Sequence, residues 1–193
     1  MVIIWTLKSF ALGGNAMDYE QTDGGVLLPT SNILGHGTYH GQIVRDGQVI
    51  DEWVDSNLVV DEGLNSMLNV TFNGATQIGT WYLGLFEGNY TPVAGVTAAT
   101  ITSASTECIA YAETTRVAYV EAASSAKSTT NSASRATFTF NATKTIYGAF
   151  LVSNSTKSGT TGTLFSAARF SAAKSVVNLD QLLLTYTFTA SSV

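Results

Sequence analysis

Two histidines, His36 and His40, stand four apart in "HGTYH". On a helix that spacing puts both imidazoles on one face, as a zinc site needs. The interleaved glycines oppose a helix, however, and on a strand such residues lie about 13 Å apart, too far for one ion. No third ligand stands near them, so no metal site is expected. The densest acidic run is Asp51, Glu52, Asp55, Asp61 and Glu62 in "DEWVDSNLVVDEG". Paired carboxylates of this kind serve glycoside hydrolysis, and clustered oxygens hold calcium. This run has neither the spacing nor the glycine of a calcium loop, and Asp51 and Glu52 point to opposite faces of any strand. A solvated strand end and a helix start account for it better.

The remaining reactive types are equally unpatterned. Serine and threonine abound, but no G-x-S-x-G elbow occurs, and two histidines in a glycine-rich stretch offer a Ser-His-Asp triad little support. The glycine pairs in "LGGN" and "TDGGV" lack the lysine and the strand–helix setting of a phosphate loop. N-x-S/T triplets at Asn69, Asn89, Asn141 and Asn154 are close to what chance yields in a chain this rich in hydroxyls. Cys108 is the single cysteine, which excludes an internal disulfide and a cysteine metal cluster and suits a reducing compartment. The expectation is a protein that is not an enzyme and carries no cofactor.

A chain of 193 residues has room for one domain with an extension. Hydrophobic residues make up 45% and charged residues only 12%, about half the usual charged share. The surface must therefore be covered by Ser, Thr, Asn and Gly. The net charge of −5, with scattered basic residues, argues against nucleic-acid binding. No apolar run is long enough to span a bilayer. Residues 1–15 lack a basic n-region and an A-x-A site, and Lys8 interrupts their apolar core, so no secretion signal is expected. Met17 is an alternative start that leaves residues 1–16 as an optional extension.

Residues 18–37 mix glycines with short apolar pieces, Val26, Leu27 and Leu28, then Ile33 and Leu34, and fit neither a period of 2 nor one of 3.6. They read as an extended arm, giving an arm over 1–37 and a single domain over 38–193. From residue 38 the pattern sharpens. "TYHGQIVR" and "QVIDEWV" flank Asp46-Gly47, a two-residue hairpin signal. "DEGLNSMLNV" is the one short helix, with Asp61 as its cap, Leu64, Met67 and Leu68 on one face, and Gly63 as a weakness. "TWYLGLF" is an apolar run of strand length, buried on both faces. "TTRVAYVE", "RATFTFN", "TIYGAFLV", "TLFSAARF" and "QLLLTYTFT" follow as strands. In the last group Phe138 and Phe140 alternate with threonines, as do Leu184, Tyr186 and Phe188. About eight turn-separated strands favour an antiparallel β-sandwich, jelly-roll-like, over an α/β fold. Residues 87–108 read as a long loop, whose Tyr90, Val93 and Val96 are candidate contacts ordered by a neighbouring molecule.

Four segments carry a resemblance: "NLVVDEGLNSMLNV" (57–70), "TWYLGLFEGNYTPVAG" (80–95), "TECIAYAETTRVAYVEA" (106–122) and "ATFTFNATKTIYGAFLVSNSTKSGTTGTLFSAARF" (136–170). From about residue 53 onward the chain resembles structural proteins of tailed bacteriophages, and is similar to the auxiliary head proteins that decorate or cement a capsid. That pattern carries no catalytic residues, and none are transferred. The resemblance implies a virion protein made in the host bacterial cytoplasm and held on the capsid surface, with the major capsid protein lattice as partner. A homo-oligomer, dimer or trimer, is the expected state. Nucleic acid and membrane are not expected partners. The other reading the residues leave open is a tail or fibre-tip module that binds a host receptor or glycan. Val26, Leu27, Leu28, Ile33, Leu34, Tyr90, Val93 and Val96 are the candidate interface residues.

Overall fold

The computed structural model describes residues 19–21, 27–29 and 33–192. Val26 and the optional extension 1–16 lie outside them. The chain divides into two units, residues 1–34 with 190–193, and Gly35–Thr189. In the first, β1 (Tyr19–Gln21) and β2 (Leu27–Pro29) pair antiparallel, with Glu20 opposite Leu28. Leu27 and Leu28 thus belong to a two-stranded ladder rather than to a single extended arm.

The larger unit is built on two antiparallel sheets packed as a sandwich. Its elements are β3 (Ile33–Arg45), β4 (Gln48–Ser56), β5 (Leu58–Val59), α1 (Asp61–Phe72), β6 (Trp81–Phe86), α2 (Ala98–Ser105), β7 (Glu107–Cys108), β8 (Val117–Tyr119), β9 (Ser128–Thr130), β10 (Ala136–Thr139), β11 (Lys144–Val152), β12 (Leu164–Val176) and β13 (Gln181–Ser192). One sheet runs β10-β13-β3-β4, with β9 also on β13; the other runs β5-β12-β11-β6-β7, with β8 also on β6. β3 begins at Ile33, inside the stretch read as arm. It turns into β4 through Asp46 (φ 52°) and Gly47 (φ 78°), the two positive angles that a type I′ turn demands.

Alternation builds the core. Along β3, Gly37, Tyr39, Gly41 and Ile43 are buried while Thr38, His40 and Gln42 between them are partly exposed. Gly41 lies directly opposite Trp53, whose indole fills the space a Cβ would take. The inter-sheet layer holds Tyr39, Trp53, Phe138 and Tyr186 of one sheet against Leu83, Leu85, Leu151 and Phe165 of the other. Each such side chain contributes about 1.5–3 kcal/mol by leaving water. Inside it the Tyr39 hydroxyl pairs with Ser166 Oγ at 3.0 Å, and Asn57 Nδ2 donates to the Tyr186 hydroxyl at 2.9 Å.

The second sheet is buried on its other face as well. Phe86, Phe150, Val152 and Leu164 meet Val60, Val96, Ala98 and Ile101 in a second cluster. This explains why "TWYLGLF" and "GAFLV" are apolar without alternation. It also corrects the reading of residues 87–108 as a loop ordered by a neighbour. That stretch contains a second helix, α2, and covers the chain's own sheet. The helix starts where the Thr97 N–H donates to Thr100 Oγ1 at 3.1 Å. A threonine in place of the usual Glu or Gln made this capping pair hard to recognise.

Helix α1 turns its apolar face outward. Its buried residue is Gly63, which sits on the Phe165 backbone where a Cβ would collide. Leu64, Met67 and Leu68 are exposed. Asp61 is the first helical residue rather than the cap, which is Val60.

One polar clamp closes an end of the sandwich. Arg45 donates through Nε (2.8 Å) and Nη2 (2.7 Å) to the two oxygens of buried Asp180, which also accepts the Val177 N–H at 2.8 Å. The Arg45 hydrogen bonds, with the Val177 amide assisting, hold the Asp180 carboxyl below its usual range. A depressed folded-state value contributes stability above the unfolded value of about 3.9, and that contribution is lost as pH falls through the lower folded value. Asp180→Asn is therefore expected to destabilise the protein at pH 7 and to flatten the fall of Tm below about pH 4. Thermal melts of both proteins from neutral to strongly acidic pH check this.

Candidate interaction surface

The residues that could have done chemistry are dispersed into structural work. His36 is exposed and His40 lies on the outer face of its sheet, where His40 Nε2 stands 2.6 Å from Glu52 Oε1. Gln42 Nε2 donates to the same oxygen at 3.0 Å, and the Gln42 amide with the His40 ring keeps the Glu52 carboxyl below its ordinary value. No group of three metal-ligating side chains converges among the described residues.

The acidic run is divided between β4 and the start of α1. Asp51 accepts from Lys174 Nζ at 3.0 Å, Asp55 from the Ser171 N–H at 3.1 Å, and Glu62 from the Leu164 N–H at 2.7 Å. All three donors belong to β12, so the carboxylates stitch residues 51–62 onto it. Glu62 also accepts the Ala98 N–H at 2.8 Å, joining the starts of α1, α2 and β12. These carboxylates bond to separate points along β12 rather than pairing across a cleft. Cys108 is buried, and burial pushes its thiol up to about 12, which leaves it a poor nucleophile.

Sequence reasoning missed the largest polar feature. Arg116 is 1% exposed. Its Nε and Nη2 each donate to Glu107 at 2.8 Å, Nη1 donates to Asn154 O and Nη2 to Gly159 O, both at 3.0 Å. Its guanidinium carbon lies 5.2 Å from the Phe150 ring centre. Glu107 in turn accepts the Ser158 N–H at 2.8 Å. The polar connection between β11 and β12 is therefore held at its middle by a buried ion pair. Lys157 adds to it, donating to Tyr111 O at 2.8 Å with its ammonium 3.7 Å from the Tyr111 ring centre.

The candidate interface residues fall into different settings. Ile33 and Leu34 are exposed in β3, and Val93 is exposed. Tyr90 is half-buried, edge-on to Phe86 at 6.5 Å between ring centres. Val96 is 4% exposed and packs in the second cluster, so it serves the core and not a contact. A further apolar surface is α1, which presents Leu64, Met67, Leu68, Val70 and Phe72 to solvent. Beside it Met67, Val70, Ile78, Trp81 and Phe165 line a cleft of about 230 Å³. The sequence showed that Leu64, Met67 and Leu68 share a face; only Gly63 signalled that another side faces the body.

Strand edges are closed to addition in several places. β5, β7 and β8 are two or three residues long, β4 is kinked by a register shift beside Val49, and Glu113 accepts the Thr139 N–H of β10 at 3.1 Å. Short, bulged and capped edges resist edge-to-edge pairing. No helix among the described residues is long and apolar enough to cross a membrane. Comparison with protein-family models gives no match for this chain, and neither does comparison with curated proteins.

Proposed function

We propose that this chain is a non-enzymatic structural protein of a tailed-bacteriophage virion, which binds and stabilises the shell of major capsid protein. The observation that carries the reading is the division of labour in the side chains. Asp51, Asp55, Glu62, Glu107, Arg116, Lys157 and Lys174 are committed to holding β12 and its connections, while large uncharged apolar groups stand on the surface. A protein that binds a repeated lattice needs a rigid body and weak apolar contacts multiplied by copy number, not a convergent pocket. The blocked edges add a requirement of the same role, since a protein packed at high density must not polymerise through its own strands. The resemblance of residues 53–193 to auxiliary head proteins selects the capsid among such lattices.

Quantitative mass spectrometry of purified particles tests the reading. A copy number commensurate with the capsid lattice is expected, together with release of empty shells at lower temperature when the gene is deleted. A few copies per particle overturn decoration in favour of the tail or fibre-tip reading, in which the exposed surface meets a host receptor or glycan.

A further inference from the structure

Helix α1 is unusual for a surface helix. Leu64, Leu68 and Phe72 recur at i, i+4 and i+8 on its outward side, the last two 55% and 81% exposed, and Met67 flanks them. Between Gly63 and Phe86 the sequence contains no Asp, Glu, Lys, Arg or His. Surface helices normally pair an apolar inner stripe with a charged outer one. Here the outer stripe is apolar and the whole segment is neutral.

We propose that α1 is the contact between two copies of this chain, packed antiparallel about a two-fold axis that passes at Leu68. The inference names the surface of the expected homo-oligomer and does not depend on the capsid reading.

Charge selects the occupant. The chain carries −5, so two copies repel wherever their carboxylates face each other. A neutral segment is where like can meet like without that cost, and interface centres are depleted in charge for the same reason. A basic partner finds little to hold: Asp61 lies at the rim, and Glu62 is already engaged by the Ala98 and Leu164 amides. Symmetry fits as well. The stripe is centred on Leu68, so a two-fold axis there sets Leu64 against Phe72 of the partner subunit and Leu68 against its own copy, an isologous contact. Antiparallel helices also oppose their dipoles favourably.

The area is adequate. Leu64, Met67, Leu68 and Phe72 leave on the order of 400 Å² uncovered, within the size of patches that mark interaction sites. With the exposed Asn65, Asn69 and Thr71 around them, the face on two copies together comes to roughly 1,200 Å², the lower end of specific interfaces.

Sedimentation equilibrium of the full chain at micromolar concentration is expected to give twice the chain mass, and Leu68→Glu, which places two carboxylates at the axis, to weaken association by roughly 100-fold. Leu68 is exposed, so this variant should keep the native circular dichroism and Tm. Should it fail to fold, cross-linking decides. Leu68→Cys is expected to form a covalent dimer under mild oxidation, whereas Leu64→Cys alone does not, and Leu64→Cys mixed with Phe72→Cys does. Buried Cys108 does not compete. A native mass of one chain or of three, an unchanged mass for Leu68→Glu, or equal cross-linking of Leu64→Cys and Leu68→Cys each overturn the proposal.

Discussion

Arg116→Met is expected to lower stability by about 3–5 kcal/mol, the range measured when one partner of a buried ion pair is removed. For a chain of this length that is a fall in Tm of roughly 10–15 °C. Both side chains of the pair are essentially inaccessible, Arg116 at 0% and Glu107 at 2%. Methionine nearly matches the volume but leaves Glu107 with the Ser158 amide as its remaining donor, and strips the Asn154 and Gly159 carbonyls of theirs. Arg116→Lys should recover little, because a point ammonium cannot reach a carboxylate and two carbonyls held in the plane of a guanidinium. Arg116→Met combined with Glu107→Leu should lose less than the sum of the single changes, which a double-mutant cycle reads directly. The single variant should also open the β11–β12 connection, giving new tryptic cleavage after Lys157. A loss below about 1 kcal/mol, the value of an exposed pair, means that the pair is not the anchor described here.

That anchor shows where sequence reasoning ends. Local chemistry was legible: Asp46-Gly47 demanded a tight hairpin, and "TFTF" placed Phe138 and Phe140 inward, where both are buried. The sandwich followed from such pieces, since alternation fixes a face and turns fix neighbours. Arg116 carried no local signal. "TTRVAYVE" read simply as a strand, and the partners of Arg116 lie nine residues away and on the far side of β11. The acidic run failed for the same reason. Asp51, Asp55 and Glu62 are close in sequence, but their donors on β12 are more than a hundred residues distant. Helix α1 was legible as a helix, but its buried side was not. Periodicity shows which residues share a face and is silent on which face turns inward. That is decided by Gly63, read as a weakness, whose missing Cβ lets the helix rest on the Phe165 backbone.

Missing Cβ atoms also set the second large effect. Gly148 lies in β11 at the centre of its sheet, opposite Phe86 and beside the bulge at Tyr147. A Cβ there meets the Ala168 carbonyl oxygen and the Phe86 ring at once. Neither can give way easily: the carbonyl is backbone of the neighbouring strand, and Phe86 is fully buried in the second cluster. Gly148→Ala is therefore expected to cost about 3 kcal/mol, the upper part of the range for overpacking a core. The sign is informative, because alanine normally stabilises a position it can enter, by about 0.4–1 kcal/mol through the unfolded chain. Gly79 supplies the contrast. It precedes β6 by a short step, its backbone is not in the left-handed region, and nothing stands within 4 Å of an added Cβ. Gly79→Ala should leave the protein unchanged or slightly more stable. Urea unfolding of the two variants separates the entropy of the chain from the contact in the fold. If Gly148→Ala unfolds at the native midpoint or above it, the close approach of β11, β12 and Phe86 is not what holds this sheet together.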